Sequence, residues 1–352
     1  MIKNRLSYIQ AKINTGTALF ITKESDIHYY TGFNFLVSEE REAYLVITKS
    51  SVNLLYSSFN PLIKQDEINY FPDIYKSKLI DHIKSIIQKD KIEEISINKS
   101  QTYVSESEIL TSLGIKVTEM SSSLIPHQKM IKDEQEILNI KKASKISRKS
   151  FTELKKKIKV GITEIKVKEL LEKIMREKGS EKPAFPTIVA FGENSALPHH
   201  QPTNKKLKNN MAILIDFGAT YKNYRSDMTR SFWFGDHPTK EYQQVEDIVH
   251  QAYTKGLNTA KNCINLPVYK IDRAVREHIK ATGYGQQFIH TTGHGVGLDI
   301  HEFPSINWKE DTKLENDVVF TIEPGIYLKD KFGIRYENTI CFNENETIEI
   351  TL

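Results

Sequence analysis

Acidic side chains stand beside apolar runs in the second half of this 352-residue sequence. Asp216 follows the run Met211–Ile215, and Asp227 comes eleven residues later, at the head of a second run, Met228–Phe234. Two strands joined by a loop can bring both carboxylates to one place, where they need a cation, a shared proton or water between them. This spacing indicates a metal site, and loop capping is the common alternative for each aspartate.

Histidines cluster further along the chain. His290, His294 and His301 are spaced by four and seven residues, and His294 stands in the sequence GHGVG. Glycines next to a histidine predict close backbone approach or positive φ. The pattern differs from the HExxH of helical zinc proteases. We interpret His294 as a metal ligand and His290 as a buried, hydrogen-bonded histidine.

Two glutamates complete the set of chemical candidates. Glu323 follows the apolar run Val318–Ile322, and Glu337 precedes another at residues 339–342. Buried carboxylates are rare unless they are paired or bind a metal. Arg335 shares a strand face with Glu337, so it either pairs with that glutamate or points toward a substrate. The order of these residues along the chain is stronger evidence for a metal site than any one of them alone.

Helical patterns surround these strands. A helix is predicted from about Asp133 to Ile158, where apolar and small residues recur at steps of three and four. Thr163 is predicted to be the N-cap of a second helix, and Gly179 is predicted to lie just beyond its end. The linker-like segment Ser121–Pro126 places a domain boundary near residue 125, which gives domains 1–125 and 126–352.

The first 120 residues alternate short apolar strands with helical patterns, which favours an α/β layer. We see no titratable cluster in this half and interpret it as structural or substrate-restricting. The predicted elements are strands at Thr17–Thr22, Ala43–Thr48, Val52–Tyr56 and Glu94–Asn98 and a helix at Lys76–Gln88.

Composition narrows the class of protein. A hydrophobic content of 39% with 27% charged residues is ordinary for a folded chain. The net charge of +4 comes from scattered lysines, which disfavours nucleic-acid binding. No apolar run is long enough for a signal peptide or a membrane span. Cys263 and Cys341 lack CxxC spacing and are interpreted as reduced core residues of a cytoplasmic protein without membrane contact.

The ordered motifs resemble a known family. An Asp, a second Asp eleven residues later, His in GHGVG, Glu in EPG and Glu in GIRYEN are similar to the metallopeptidases that include prolidase, aminopeptidase P and methionine aminopeptidase. The resemblance covers about residues 125–352, and more loosely the N-terminal half through TALFITKESDIHYYTGF. It implies an α/β creatinase-like N-terminal domain followed by an α+β pita-bread catalytic domain. The N-terminal domain disfavours methionine aminopeptidase, and the intact ligands disfavour creatinase.

By this resemblance, Asp216 chelates one divalent ion, His294 and Glu323 chelate a second, and Asp227 and Glu337 bridge the two. Oxygen ligands with a single imidazole suit manganese best, with cobalt or zinc as alternatives.

The resemblance also implies further site residues and an activity. His199 would steady the carbonyl oxygen, His301 and Arg335 would contact substrate, and Glu323 would transfer protons. The implied activity is hydrolysis of the Xaa-Pro bond of short proline-containing peptides, as a dipeptidase, an aminopeptidase P or both, by a homodimer. The alternative is a non-catalytic binding protein with the same fold.

The sequence departs from the family pattern at four positions. Asn338 follows Glu337 where the family usually has Asp, Tyr336 replaces an aliphatic residue, and Asn223 replaces a glycine. Phe191 stands where a small residue is more usual and is expected near the substrate cleft, where it would affect substrate preference. None of the four removes a ligand.

Overall fold

The strands predicted in the first part of the chain lie in one mixed sheet. The computed structural model describes residues 2–35, 40–343 and 346–352. The strands of this sheet are β1 (Thr17–Ile21), β2 (Ala43–Thr48), β3 (Val52–Tyr56), β4 (Asn69–Pro72), β5 (Glu94–Ile97) and β6 (Lys116–Glu119). They lie in the order β4-β3-β2-β1-β5-β6, with β1 antiparallel to β2 and parallel to β5. The four strands predicted from the sequence are therefore present, within one residue at each end.

Helices accompany this sheet because their apolar faces need a partner surface. They are α1 (Ile2–Ala11), α2 (Glu24–Thr31), α3 (Lys76–Asp90), α4 (Val104–Ser112) and α5 (Leu124–Met130). Helix α3 buries Leu79, Ile83 and Ile86 in the same core as Phe20 and Val46 of the sheet. Each such side chain contributes about 1.5–3 kcal/mol relative to exposure.

One interpretation of this half is wrong. Glu106 is only 5% exposed and pairs with Arg41 at 2.9 Å, so a titratable cluster does exist here. The other carboxylate oxygen of Glu106 accepts a hydrogen bond from the backbone N–H of Tyr103 and thereby caps α4. The Arg41 guanidinium stacks over the Tyr103 ring at 4.1 Å. These contacts give the cluster a structural role.

The chain divides into two compact units, Met1–Gln128 and Lys129–Leu352. The boundary predicted at residue 125 falls three residues before this division. The segment predicted to be a linker is partly helical, because α5 begins at Leu124.

Antiparallel strands dominate the second unit. They are β7 (Ile188–Phe191), β8 (Met211–Phe217), β9 (Thr220–Tyr221), β10 (Tyr224–Arg225), β11 (Met228–Phe234), β12 (Gly293–Gly295), β13 (Glu302–Ile306), β14 (Val318–Ile322), β15 (Gly325–Leu328), β16 (Phe332–Arg335), β17 (Asn338–Phe342) and β18 (Ile348–Glu349). One sheet has the order β11-β8-β7, and a second has the order β13-β12-β14-β17-β18. Strands β9 and β10 pair with each other, as do β15 and β16.

The α-helices of the described part of this unit are α6 (Glu134–Lys155), α7 (Glu164–Glu177), α8 (Lys240–Lys261) and α9 (Tyr269–Ala281). Asp133 caps α6 in a capping box with Glu136, and Thr163 caps α7 as predicted. Gly179 follows α7 with φ of 98°, the left-handed conformation expected of a glycine beyond a helix end. No helix in the described ranges has the length and apolar character needed to cross a membrane.

Three buried residues bear on the sequence predictions. Phe191 is fully buried in the core formed by α6, α7 and the sheet of β8, together with Leu171 and Ile213. The expectation that Phe191 lies near the substrate cleft is therefore wrong, because its ring fills this core. Cys263 and Cys341 are buried free cysteines.

Gly256 allows α8 to pack closely against α9. A Cβ atom at this position would lie 2.7 Å from a Val275 methyl and 3.1 Å from an Ile322 methyl, and both side chains are branched at Cβ and stiff.

We predict that Gly256→Ala lowers the free energy of unfolding by about 1 kcal/mol. Overpacking costs about 1–3 kcal/mol, which exceeds the gain of about 1 kcal/mol from replacing glycine in a helix. Urea denaturation measures the change, and Gln251→Ala on the exposed face of the same helix serves as the control. A Gly256→Ala protein as stable as the parent would show that the helices can separate without cost.

Candidate metal centre

Two antiparallel strand pairs each bring two carboxylates to one end. In the β8–β11 pair, Met228 lies opposite Phe217, so Asp227 lies at the same end as Asp216. In the β14–β17 pair, Ile322 lies opposite Asn338, so the flanking residues Glu323 and Glu337 face each other. Asp216 itself lies within β8 rather than after its end, one residue from the position predicted.

Close backbone packing around β12 positions His294. A Cβ atom at Gly293 would meet the carbonyl oxygen of Thr321 at less than 3.0 Å, and one at Gly295 would meet the carbonyl oxygen of Phe303 equally closely. Neither glycine has positive φ. Of the two explanations offered by the sequence, close approach is therefore the correct one.

All eight sequence-predicted site residues lie in the wall of one cavity of about 720 Å³. They are His199, Asp216, Asp227, His294, His301, Glu323, Arg335 and Glu337. Apolar side chains, including Phe185, Ile188 and Ile300, line the same cavity. A cavity with apolar walls and a few convergent polar groups is the usual form of a small-ligand site.

The tautomer of His294 follows from its hydrogen bond. Its Nδ1 lies 3.1 Å from the carbonyl oxygen of Gly295, which can only accept, so Nδ1 carries the proton. The unprotonated Nε2 then faces Glu323 Oε1 at 3.3 Å and Asp227 Oδ2 at 3.5 Å. Lone pairs facing one another at this distance require a cation or a shared proton between them. Ligand atoms of Asp227, His294 and Glu337 all lie within 4.8 Å of one another, which fits a bound cation.

Two carboxylate oxygens in the cavity lack the contacts that burial requires. Asp216 Oδ1 and Asp227 Oδ1 are buried and have no hydrogen-bond partner among the described residues. Asp227 is 4% exposed and Glu337 is 1% exposed. A buried acceptor without a partner costs about 1–3 kcal/mol, and more when it is charged. The residues present therefore fit divalent cations, which prefer such oxygen ligands together with one imidazole.

Crowding also shifts the acidity of these groups. Burial, followed by the charges of Glu337, Asp216 and Glu323, raises the pKa of Asp227 well above its usual range. Burial and the neighbouring carboxylates Glu323 and Asp216 do the same to the pKa of Glu337. Burial raises the pKa of Glu323 to about 7, although Arg335 opposes the rise. The carboxylates resist sharing the cavity as anions unless cations accompany them.

The Arg335 guanidinium supplies positive charge to this cavity. Its Nη2 donates to Asp216 Oδ2 at 2.5 Å, its Nη1 donates to the Tyr327 hydroxyl at 2.8 Å and its Nε donates to Thr229 Oγ1 at 3.0 Å. The sequence left two alternatives for Arg335, pairing with Glu337 or pointing toward a substrate. The structure shows that Arg335 pairs with Asp216 and not with Glu337. Burial lowers the pKa of Arg335, but the surrounding Tyr327 and carboxylates outweigh burial and raise it further above its usual range.

Sequence reasoning missed two polar residues and underestimated a third. Thr229 Oγ1 donates to Glu337 Oε2 at 2.6 Å, and its position two residues after Asp227 on a strand was the available signal. Tyr327 donates to His290 Nε2 at 2.8 Å, because His290 Nδ1 donates to the Thr291 carbonyl. His290 is hydrogen-bonded as expected, but it also lines the cavity. Burial and Arg335 lower the pKa of His290 to about 3, so it stays neutral.

Buried ion pairs hold the segment that carries His301. The centroids of the His301 and His294 rings lie 4.4 Å apart. The next residue, Glu302, is paired with Lys132 at 3.0 Å and with Lys129 at 3.5 Å. Glu302 also accepts a hydrogen bond from the backbone N–H of Asp299, which closes the turn before His301.

A second buried carboxylate holds the segment that carries His199. Glu164 is fully buried and lies 2.9 Å from His200 Nε2. It also accepts hydrogen bonds from Phe191 N–H and Asn194 Nδ2, and two from the backbone and side chain of Thr203. Glu164 thus accepts five hydrogen bonds. Because Glu164 is the first residue of α7, these bonds fix the segment that carries His199 and His200 to the start of that helix.

Comparison with known proteins agrees with this geometry. The model of metallopeptidase family M24 matches residues 139–344 of the chain. The chain belongs to that family. It is 32% identical to the Xaa-Pro dipeptidase of Pyrococcus horikoshii over 96% of this chain and 93% of that protein.

Solved structures of M24-type peptidases share the whole fold. The Xaa-Pro dipeptidase from Bacillus anthracis superimposes with a TM-score of 0.90 at 26% identity and covers 100% of this chain and 98% of its own. The X-Pro aminopeptidase from Thermotoga maritima superimposes with a TM-score of 0.85 at 34% identity, covering 98% of this chain and 97% of its own. The M24 protein is therefore a metallopeptidase, and the predicted combination of an N-terminal domain with a pita-bread catalytic domain is confirmed.

We predict that Glu164→Gln lowers the free energy of unfolding at pH 7 by about 1–3 kcal/mol. The glutamine amide would place a donor against existing donors such as His200 and Thr203. Burial raises the pKa of Glu164, but the hydrogen bonds of Thr203, His200, Asn194 and Phe191 outweigh it and lower the pKa below its usual value. The contribution of a carboxylate with a lowered pKa is complete above the usual glutamate pKa of about 4.3 and is lost as the pH falls through the folded-state pKa.

Chemical denaturation at pH 7 and at successively lower pH measures this effect. The difference between the parent and Glu164→Gln should be largest at pH 7 and shrink below about pH 4. Glu169→Gln in the same helix removes an exposed pair with Lys166 and should change stability by less than about 0.5 kcal/mol. Equal stabilities of the Glu164→Gln protein and the parent at pH 7 would contradict the anchoring role.

Proposed function

We propose that this metallopeptidase is an exopeptidase that cleaves the bond between an N-terminal residue and proline, with Xaa-Pro dipeptides as its first substrates. The observation that carries the proposal is the convergence of four carboxylates and an unprotonated imidazole nitrogen in one cavity that also has apolar walls. Proline specificity is supported by relatives named Xaa-Pro dipeptidase and X-Pro aminopeptidase.

We assign five residues to two divalent ions. Asp216 would hold one ion, His294 and Glu323 the other, and Asp227 and Glu337 would be shared between them. When bound, two such ions would supply Lewis-acid activation of a water molecule and of the scissile carbonyl. With all four carboxylates and Arg335 ionised, these protein groups carry a formal charge of −3, which two divalent cations more than balance.

The protein groups would divide the remaining tasks. The Xaa-Pro bond has no N–H, so its nitrogen must receive a proton as the bond breaks. Glu323 faces the cavity and is the group proposed to move that proton. His199 and His301 line the cavity and would donate hydrogen bonds to the substrate carbonyl and to the rest of the peptide.

Arg335 supports the site by a different route. All three of its guanidinium nitrogens already donate to Asp216, Tyr327 and Thr229. These bonds fix the Asp216 carboxylate, which leaves the Asp216 Oδ1 atom without a protein donor and available to a cation. The expected contact of Arg335 with substrate stays a prediction.

Manganese, a homodimer and a cytoplasmic location belong to the same proposal. Four carboxylates with one imidazole suit manganese better than a tetrahedral zinc site. Two buried cysteines that are not joined to each other are typical of a reducing compartment. Elemental analysis of the purified protein and light scattering in solution would test the metal and the dimer separately.

We predict that Asp227→Asn and Glu337→Gln each lower kcat/KM for an Xaa-Pro dipeptide by on the order of 10²–10³-fold or more. Each substitution removes one negative charge from the centre while keeping the shape of the side chain. Initial rates with added manganese measure the loss. The control is Asp236→Asn, which makes the same chemical change at an exposed position. A near-normal rate in either site variant would refute its place in the centre.

We predict that an Xaa-Pro dipeptide is cleaved faster than the matching Xaa-Pro-Yaa tripeptide. The same assay with both peptides in manganese buffer gives kcat/KM for each, and an Xaa-Ala dipeptide controls for proline specificity. Cleavage of the tripeptide alone would reassign the chain as an aminopeptidase. Equal cleavage of the Xaa-Ala dipeptide would remove the proline specificity.

A further inference from the structure

Asn338 departs from the acidic residue expected after Glu337, and its surroundings explain the amide. The side chain is fully buried directly beside Glu337. Its Oδ1 accepts hydrogen bonds from Arg230 Nη2 at 2.7 Å and from Thr351 Oγ1 at 3.1 Å. Because arginine can only donate, the oxygen must face Arg230, and the NH₂ group must face the opposite way.

The NH₂ group of Asn338 faces a second acidic residue. It donates to the Tyr253 hydroxyl at 3.1 Å and to Glu349 Oε2 at 3.4 Å. The Tyr253 hydroxyl in turn donates to the same carboxylate oxygen of Glu349. An aspartate at position 338 would turn a carboxylate oxygen toward Glu349. A buried carboxylate and a half-buried one at this distance repel each other.

Arg230 connects this network to the metal centre. Its Nη1 donates to the backbone carbonyl of Glu337 at 2.6 Å, and its Nη2 also donates to the backbone carbonyl of Thr351 at 3.0 Å. Arg230 makes no ion pair with any described residue. Its Nη2 instead contacts the Asn338 amide, whose far side meets the Glu349 carboxylate.

The strand that carries Glu349 is held in register with the strand that follows Glu337. Strand β18 pairs with β17, with Glu349 opposite Ile340. Beyond it, Thr351 Oγ1 accepts a hydrogen bond from the backbone N–H of Thr339 at 2.8 Å, and Ile350 N–H donates to the Thr339 carbonyl at 2.9 Å. The backbone N–H and carbonyl of Thr339, the residue after Asn338, are therefore both bonded to the segment that contains Glu349.

We propose that Glu349 is a positioning residue for the Glu337 carboxylate, acting through Asn338 and Arg230, and that Glu349 is the reason position 338 must be an amide. This proposal rests on the proposed function, because it takes Glu337 as a metal ligand. It adds that a carboxylate on β18 faces Arg230 across the Asn338 amide.

The test compares four proteins: the parent, Asn338→Asp, Glu349→Gln and the double variant Asn338→Asp/Glu349→Gln. Calorimetric titration of each metal-free protein with Mn²⁺ gives its metal affinity, and kcat and KM are measured with an Xaa-Pro dipeptide. Thermal unfolding of the metal-free proteins is recorded in parallel. Glu346→Gln is the matched control, because Glu346 is an exposed glutamate in the same segment.

We expect Asn338→Asp to weaken Mn²⁺ affinity by about 10–100-fold, the range for residues that orient metal ligands. The double variant should recover most of this loss, because the amide introduced by Glu349→Gln can donate to the new carboxylate while Arg230 pairs with it directly. Mn²⁺ affinity and kcat should both be highest in the parent, lower in the double variant and lowest in Asn338→Asp. The Glu346→Gln protein should match the parent.

Two results would overturn the positioning role. One is a Mn²⁺ affinity of Asn338→Asp equal to that of the parent, even if its unfolding temperature falls, since that pattern describes stability alone. The other is a double variant no better than Asn338→Asp. Failure of the proposed function is distinguishable from both, because the parent itself would then take up no metal.

Discussion

Mutual repulsion among buried carboxylates is the constraint on which this molecule depends. Asp216, Asp227, Glu323 and Glu337 share one cavity, and the Arg335 guanidinium offsets part of their charge. Taking such charges out of water costs several kcal/mol for each ion unless an opposite charge accompanies it. As anions, these groups can therefore share the cavity only together with cations.

The fold holds these groups together by fixing their backbones rather than by attraction between them. Two antiparallel pairs set the spacing, and hydroxyl groups of Thr229 and Thr321 donate to Glu337 and Glu323. The two pairs are joined where the Thr339 hydroxyl donates to the Asp227 carbonyl at 2.7 Å. Buried acidic anchors, Glu164 and Glu302, hold the segments before His199 and around His301 in the same way. Stability elsewhere in the fold thus compensates for an unfavourable centre.

The sequence predicted the ligand set well because strand ends and short motifs are local features. Apolar runs marked the strands, and the order of the motifs brought Asp216, Asp227, His294, Glu323 and Glu337 into one set, all of which line one cavity. Partners distant in sequence were beyond such reasoning. Arg335 pairs with Asp216, 119 residues away, rather than with Glu337, two residues along the chain. The strand face that the sequence predicted for this pair is absent, because β16 ends at Arg335 and β17 begins at Asn338. Phe191 was misplaced because a position beside a motif does not reveal which face of the strand is buried. Asn338 could be recognised as a departure, but only its contact with Glu349 explains it.

Metal uptake at neutral pH tests the central claim most directly, because the charge of the cavity is what demands a cation. Metal-free protein dialysed against Mn²⁺ should retain two ions per chain by elemental analysis. Its unfolding free energy should rise with free metal concentration, by about 2.7 kcal/mol at one hundred times the dissociation constant. A protein that retains no metal and unfolds at the same temperature with and without Mn²⁺ would contradict the claim.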